Sequence, residues 1–356
     1  MVIIMREWEK FIREVEPYVP GEQPTGKRMI KLNTNENPYP PTKEVKKALN
    51  EFSYENLRLY PDPTAFNLVD TLARYYDLDK DEIFVGVGSD DVLAMAFLTF
   101  FNSTKPILFP DITYSFYEVW AKLFQIPYEM PLLDKNFRII KEDYFKENGG
   151  IVIANPNAPT SIYENLEFIK DILEHNQDSI VIIDEAYIDF GGVSAKNLLK
   201  KFDNLLVVQT FSKSRSMAGM RIGYAMGSKK LIKALNDVKY SYNSYTMNLP
   251  SLYYGVKAVE DEEYFLQCVN KIIETREYVK EELCGLGFTY FDSMTNFIFA
   301  THERIPAKLL YESLRKENIY VRYFNKPRID NYLRISIGTR EEMDVLLKKL
   351  QIICNK

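Results

Sequence analysis

Leu205-Leu206-Val207-Val208-Gln209-Thr210-Phe211-Ser212-Lys213 is the stretch on which the fold turns. Four consecutive branched apolar residues read as a strand buried on both faces, and the residues that end it carry chemistry instead of packing. The same texture recurs upstream. Ile151-Val152-Ile153-Ala154 precedes a helical pattern over 165–173, and Ile180-Val181-Ile182-Ile183 ends at Asp184. Ile83-Phe84-Val85 leads through a glycine turn into helical periodicity over about 90–101, and Ile107-Leu108-Phe109 leads into 114–124. Continuous Ile/Val runs alternating with amphipathic helices predict an α/β fold, a mostly parallel sheet sandwiched by helices. Ligands of such sheets gather at the carboxyl ends of the strands.

The texture changes after residue 249. A long helical stretch over 262–283 is followed by short strands near 296–299 and 333–336 and helices over 306–317 and 340–351, which predicts a smaller α+β lobe. The first 40 residues are rich in Pro and Gly (Pro17, Pro20, Gly21, Pro24, Gly26, Pro38, Pro40, Pro41) and are expected to lie along that lobe as extended chain. The expected organisation is an arm over 1–40, a large domain over 41–255 and a small domain over 256–356.

Lys213 follows a strand and a hydroxyl, and Arg221 lies eight residues on, in Ala218-Gly219-Met220-Arg221-Ile222-Gly223. A lysine held out of water loses affinity for its proton, which frees the nitrogen lone pair to trap a carbonyl. Ser212 and Arg221 are what a phosphate-bearing aldehyde needs as anchors. Gly86-Val87-Gly88-Ser89-Asp90 stands between a strand and a helix, where backbone amides and the helix dipole favour an anion. A dinucleotide fingerprint would need a glycine where Asp91 stands, so that reading fails.

Composition narrows the field. The net charge is −5 with no long basic run, which argues against nucleic acid as a partner. The longest apolar stretch, 92–101, is too short to span a bilayer, and Arg6-Glu7 arrives too early for a signal peptide. Cys268, Cys284 and Cys354 are odd in number and widely spaced, as expected of reduced thiols in a cytoplasmic protein. Only two histidines exist, His175 and His302, both expected to be solvated, so neither a Ser-His-Asp triad nor a metal site is supported. Lysine and an organic cofactor must then carry any chemistry.

The segment around Lys213 resembles the lysine signature of fold-type-I pyridoxal-phosphate aminotransferases. Asp184-Glu185-Ala186-Tyr187 resembles their DEAY segment, and Asn155-Pro156-Asn157-Ala158-Pro159-Thr160-Ser161 stands where they show NPNNPTG, departing at Ala158 and Ser161. The resemblance implies pyridoxal 5′-phosphate as cofactor and a role for each matching residue. Lys213 joins the cofactor aldehyde and later moves the proton between the substrate Cα and C4′. Asp184 holds the pyridine nitrogen protonated. Tyr187 and Asn157 bond the ring O3′, and Tyr114 stacks on the ring. Thr210, Ser212, Arg221 and the Gly88-Ser89-Asp90 turn hold the phosphate. Tyr60, in Leu59-Tyr60-Pro61-Asp62, matches a tyrosine that reaches the neighbouring subunit's phosphate, which implies a homodimer.

Glu16-Pro17-Tyr18-Val19-Pro20-Gly21 and Lys31-Leu32-Asn33-Thr34-Asn35-Glu36-Asn37-Pro38 are similar to the opening of the histidinol-phosphate aminotransferases, as are the segments holding Arg322 and Arg334. The similarity runs almost end to end. It implies transamination between histidinol phosphate and 2-oxoglutarate in histidine biosynthesis, with Tyr18, Asn33, Arg322 and Arg334 on the substrate. One site must then take a phosphate and a carboxylate in turn, and forked guanidinium donors suit both. An aromatic amino-acid aminotransferase or a threonine-phosphate decarboxylase would share every cofactor residue. A non-catalytic cofactor-binding regulator is a third reading, which the acidic balance disfavours.

Overall fold

A computed structural model describes residues 6–18, 21–24 and 29–355. The start of the chain at 1–5 and the arm residues Val19, Pro20 and Gly26 lie outside the described residues. The elements run in order β1 (Ile30–Leu32), α1 (Lys43–Glu51), α2 (Phe66–Tyr76), β2 (Ile83–Gly86), α3 (Ser89–Phe100), β3 (Ile107–Leu108), α4 (Phe116–Phe124), β4 (Tyr128–Glu129), β5 (Gly150–Ala154), α5 (Leu166–His175), β6 (Val181–Asp184) and β7 (Leu205–Thr210). There follow β8 (Gly223–Gly227), α6 (Lys229–Tyr242), α7 (Leu249–Glu260), α8 (Glu262–Gly285), β9 (Phe288–Tyr290), β10 (Phe297–His302), α9 (Ala307–Lys316), β11 (Ile319–Tyr323), β12 (Leu333–Ser336) and α10 (Arg340–Cys354).

Seven strands form the large sheet in the order β2-β8-β7-β6-β5-β3-β4. The pairs from β7 to β4 are parallel, and β8 runs antiparallel to both of its neighbours. Every residue of β5, β6 and β7 is buried, as a sheet covered on both faces requires. Alternation then decides which face each residue serves. Ile151, Ile153, Val181, Ile183, Leu205 and Val207 pack with α2, α5 and α7 in one core, whereas Val152, Ile182, Leu206 and Val208 pack with α3, α4 and α6 in another. Each wholly buried Val, Leu or Ile contributes about 1.5–3 kcal/mol relative to exposure. By the same parity Asp184 and Thr210 emerge on the α3/α4 face, and Glu185 and Gln209 on the other.

The second sheet runs β1-β11-β12-β10-β9, with α8, α9 and α10 closing its core. β1 pairs parallel with β11, Ile30 opposite Ile319 and Leu32 opposite Val321, so the arm supplies an edge strand to this sheet. A small apolar cluster bridges the two sheets: Ile112, Leu133, Phe137 and Ile162 from one side meet Phe299 and Ile329 from the other. Thr339 caps α10 with a reciprocal Glu342 contact, a device contributing about 1 kcal/mol.

Two expectations need correction. His302 is not solvated: it is 2% exposed, its Nδ1 accepts the backbone N–H of Arg304 and of Ile305, and Nε2 lies 3.0 Å from the carbonyl of Leu286. Two donors on Nδ1 place the proton on Nε2, so the ring is a satisfied structural group. The helix expected from residue 114 begins at Phe116, which leaves Tyr114 in the loop before it. Among the described residues no helix is long and apolar enough to cross a membrane, and no cluster of His, Cys, Asp or Glu could hold a metal.

Candidate active site

The carboxyl ends of β6 and β7 bring the expected residues together on the α3/α4 face. Asp184 is 5% exposed. Its Oδ2 accepts the Tyr117 hydroxyl at 2.7 Å and its Oδ1 the Ala186 N–H at 3.2 Å. No cation pairs with it among the described residues. Burial pushes its carboxyl up to about 6, against the pull of those two hydrogen bonds. A buried carboxylate with a tyrosine behind it and no counter-ion fits a protonated pyridine nitrogen.

The phosphate-binding candidates converge on the start of α3. Gly88 has φ +85° and offers no side-chain cap to the helix, so the first-turn amides of Ser89 and Asp90 remain for another acceptor. A Cβ on Gly88 would stand 2.5 Å from Arg221 Nη2, and one on Gly223 would stand 2.2 Å from the Gly88 carbonyl carbon. Two glycines thus let the β2–α3 turn, β8 and the Arg221 side chain crowd into one place. Arg221 itself has φ +52° and reaches Ser212 Oγ, the Ala218 carbonyl and Asp90 Oδ2, each at 3.4 Å. Three long contacts leave the guanidinium uncommitted. Thr210 Oγ1 and Ser212 Oγ lie 3.0 Å apart beside it. This cradle of amides, hydroxyls and a loosely held arginine fits a phosphate.

Tyr114 donates to Asp90 Oδ1 at 2.8 Å, and burial followed by the Asp90 charge raises its phenol well above the ordinary range. Asn157 is clamped: its Nδ2 donates to the Ile112 carbonyl and to Thr160 Oγ1, and its Oδ1 accepts from Thr113. Bonding a ring oxygen would require Asn157 to exchange the Thr160 contact. The departure at Ser161 leaves a serine at φ +67°, held by its N–H to the Asn157 carbonyl.

Lys213 Nζ lies 3.3 Å from the Thr34 carbonyl and 5.8 Å from the centre of the Tyr187 ring. Arg334 Nη2 donates to the Asn33 carbonyl at 3.0 Å, while its buried Nε has no partner among the described residues. Arg322 is its cross-strand neighbour in the β11–β12 pairing. Burial first, and Arg322 as well, lowers the pKa of Arg334; Tyr18, Tyr114 and Tyr187 are near enough to counter that. An orphaned guanidinium nitrogen beside a second arginine fits an anionic substrate. Tyr18 stacks on Phe116 at 4.2 Å, and Asn33 donates to the Glu22 carbonyl, leaving its Oδ1 unpartnered. Tyr60 is not brought to the others within one chain; it is 82% exposed and rests against Tyr245.

Sequence reasoning missed Tyr117, three positions after Tyr114 and so on the same side of the chain, and Asn35 and Asn37. Asn35 Nδ2 donates to the Tyr187 hydroxyl at 2.9 Å, and Asn37 Nδ2 to the carbonyls of Lys213 and Ser214. Their signal was the density of asparagine in the 33–37 stretch. It missed Arg328 too, whose guanidinium crosses from the β11–β12 loop to Asp111 and to the carbonyls of Leu133 and Asp134.

The profile of the aminotransferase class I and II family matches residues 27–350. The chain belongs to that family. Among the curated relatives of this aminotransferase, a histidinol-phosphate aminotransferase of Clostridium beijerinckii is 53% identical over 346 residues, covering 97% of each chain. One of Lactococcus lactis is 52% identical over 344 residues, again 97% of each. The solved histidinol-phosphate aminotransferase of Clostridium acetobutylicum superposes with a TM-score of 0.84 at 26% identity, over 92% of this chain and 99% of that one. The Sinorhizobium meliloti enzyme in complex with pyridoxal-5′-phosphate gives 0.83 at 20% identity, over 92% and 91%, a likeness of fold.

Proposed function

We propose that this chain is a pyridoxal-phosphate-dependent transaminase that exchanges the amino group of histidinol phosphate with 2-oxoglutarate, giving imidazole acetol phosphate and glutamate in histidine biosynthesis. The observation that carries this reading is the pairing of Arg322 and Arg334, with an unpartnered donor on Arg334, tied to Asn33 next to the Thr34 that Lys213 meets. End-to-end identity of 51–53% to enzymes of that name supports it.

When bound, pyridoxal phosphate supplies an electron sink that stabilises negative charge at the substrate Cα. Asp184 holds the ring nitrogen in its charged form, and its burial strengthens that contact by excluding water. Arg221, Ser212, Thr210 and the amides of Ser89 and Asp90 hold the phosphate. Tyr114 would cover the ring, and Tyr187 and Asn157 would bond its oxygen. Lys213, whose Nζ lies beside the Thr34 carbonyl, would take and return the substrate proton. Arg334 and Arg322 receive the substrate phosphate or carboxylate, with Tyr18 and Asn33 closing from the arm.

We also propose a cytoplasmic homodimer in which Tyr60 serves the neighbouring subunit. Tyr54, Leu57, Leu59 and Tyr60 form an exposed apolar stretch that a second copy would cover. We further propose an arm to 40, a large domain over 41–255 that holds the seven-stranded sheet, and a small domain over 256–356 that holds β9–β12 and takes β1 from the arm. The test is half-reaction spectroscopy with glutamate, histidinol phosphate and phenylalanine offered separately. Histidinol phosphate and glutamate are expected to bleach the visible band, and Lys213→Ala is expected to lack it. A band bleached by phenylalanine but untouched by histidinol phosphate would remove the substrate assignment and leave the reaction class.

A further inference from the structure

The segment Asn33-Thr34-Asn35-Glu36-Asn37 makes four contacts with the site in five positions: Asn33 meets Arg334, Thr34 meets Lys213 Nζ, Asn35 meets Tyr187, and Asn37 meets the Lys213 carbonyl. Of these contacts only the one from Asn35 meets a group that could either donate or accept, and further bonds set its direction. Asn35 is 1% exposed and has φ +55°, a conformation asparagine tolerates better than most residues. Its backbone N–H donates to Ser336 Oγ at 2.9 Å, and the same hydroxyl donates to Asn35 Oδ1 at 2.9 Å. Since the Ser336 oxygen receives that N–H and its own hydrogen turns to the amide, the carbonyl end of the Asn35 side chain is fixed towards Ser336. Asn296 Nδ2 donates to the backbone carbonyl of Asn35 and so fixes the main chain there. The Asn35 amide hydrogen is therefore presented to the Tyr187 oxygen, and that oxygen must accept.

A phenol that accepts there keeps its own hydrogen for a second partner. The Tyr187 ring is itself set by an edge contact with Phe297, 5.1 Å between centroids, so its hydroxyl position is fixed before its proton is considered. We propose that Asn35 is a positioning residue for the transamination: by donating to the Tyr187 oxygen it commits that hydroxyl to donate to the cofactor ring oxygen. This rests on the placement of Tyr187 beside the ring. Ser336, 301 residues away, belongs to the same device, because it decides which end of the amide faces Tyr187.

With pyridoxal phosphate bound, a donor at the ring oxygen would steady negative charge there and so would let the Lys213 nitrogen give up its proton at lower pH. Among the described residues, the charged and titratable groups tied to Tyr187 are Lys213, Arg334 and Tyr114. None of them changes in the variants below. The experiment follows the pH midpoint of the holoenzyme's visible absorbance in wild type, Tyr187→Phe, Asn35→Asp and the double variant. Asn35→Asp keeps the size and the left-handed tolerance but offers only an acceptor, so it draws the Tyr187 proton to itself. Tyr187→Phe is expected to raise the midpoint by on the order of one pH unit, the scale of one hydrogen bond to a charged group. Asn35→Asp is expected to raise it at least as far. In the double variant the asparagine change adds only its bare charge, so the two shifts fall short of summing by about the Tyr187→Phe shift. Ser336→Ala, a milder change, is expected to move the midpoint the same way by less.

An Asn35→Asp shift of equal size in the wild-type and Tyr187→Phe backgrounds would overturn the proposal, as would an unmoved midpoint in Ser336→Ala. An unmoved midpoint in Tyr187→Phe would remove the placement of Tyr187 and the proposal with it. A midpoint that moves in Tyr187→Phe but not in Asn35→Asp removes the proposal alone. Thermal unfolding of each apoprotein, expected to stay cooperative and above the assay temperature although Asn35→Asp and Ser336→Ala lower its midpoint, separates these shifts from loss of structure.

Discussion

Asp184→Asn has opposite consequences for the protein without and with its cofactor, and the difference follows from burial. In the fold the Asp184 carboxyl is raised by burial from 3.8 to about 6. The folded apoprotein therefore binds this proton more tightly than the unfolded chain does. A raised acid contributes its full stability below the unfolded pKa and loses it as pH climbs through the folded one. The shift of about 2 pH units corresponds to about 3 kcal/mol, most of it lost between pH 4 and pH 7. Asparagine escapes that loss, and it can be satisfied in place: its Oδ1 can accept from Ala186, and the Tyr117 hydroxyl can rotate to accept from its Nδ2. The unfolding free energy of the Asp184→Asn apoprotein, relative to wild type, should rise by about 2.5 kcal/mol between pH 4 and pH 8, as read by urea unfolding. With pyridoxal phosphate bound the sign reverses, because the ring nitrogen loses its counter-charge, and the variant should release cofactor on dilution far faster than wild type. A difference in apoprotein stability that stays flat from pH 4 to pH 8 would refute the reasoning. It would mean that water reaches the carboxylate.

Gly223→Ala should unfold earlier by about 3 kcal/mol and hold phosphate poorly, since its Cβ would meet backbone atoms of Gly88 and Ser89 at 2.2–2.3 Å, which no rotamer change relieves. Gly219→Ala, with nothing within 4 Å, is the matched control and should unfold like wild type in the same calorimetric scan. Arg328→Ala removes three contacts of 2.7–2.8 Å between the β11–β12 loop and the loops that follow β3 and β4. Because the guanidinium is about a third exposed, the expected loss is only about 1–2 kcal/mol. It should be accompanied by a higher KM for amino donor, since Asp111 leads directly into Ile112, Thr113 and Tyr114; an unchanged KM would confine Arg328 to stability.

The parts of the fold legible in the sequence are those where one residue type repeats for one reason. β5, β6 and β7 announce themselves because burial on both faces demands unbroken apolar residues. Lys213 and Asp184 stand out because charge at the end of such a run has no packing role. β8 was invisible: Gly223-Tyr224-Ala225-Met226-Gly227 carries glycine at both ends, and the one at Gly223 is required by a close backbone approach that only the assembled fold creates. His302 looked polar because its neighbours Glu303 and Arg304 are polar, yet its ring is consumed by the local turn. Asn35 could be seen as part of a motif, but its partners Tyr187, Asn296 and Ser336 are scattered over the chain. No spacing rule reaches that far.

The parallel pairing of β1 with β11 and the clasp between Asn35 and Ser336 have a consequence for biogenesis. At a translation rate of 5–20 residues per second, about 15–60 s separate the two ends of that 301-residue clasp on the ribosome. During that interval the nascent large sheet can form around its own core, while the asparagine-rich strip waits with its amides turned to water or to a chaperone. The vitamin pocket is thus finished last, from both ends of the message at once, and a product truncated before β12 would carry the reactive lysine without the strip's anchor.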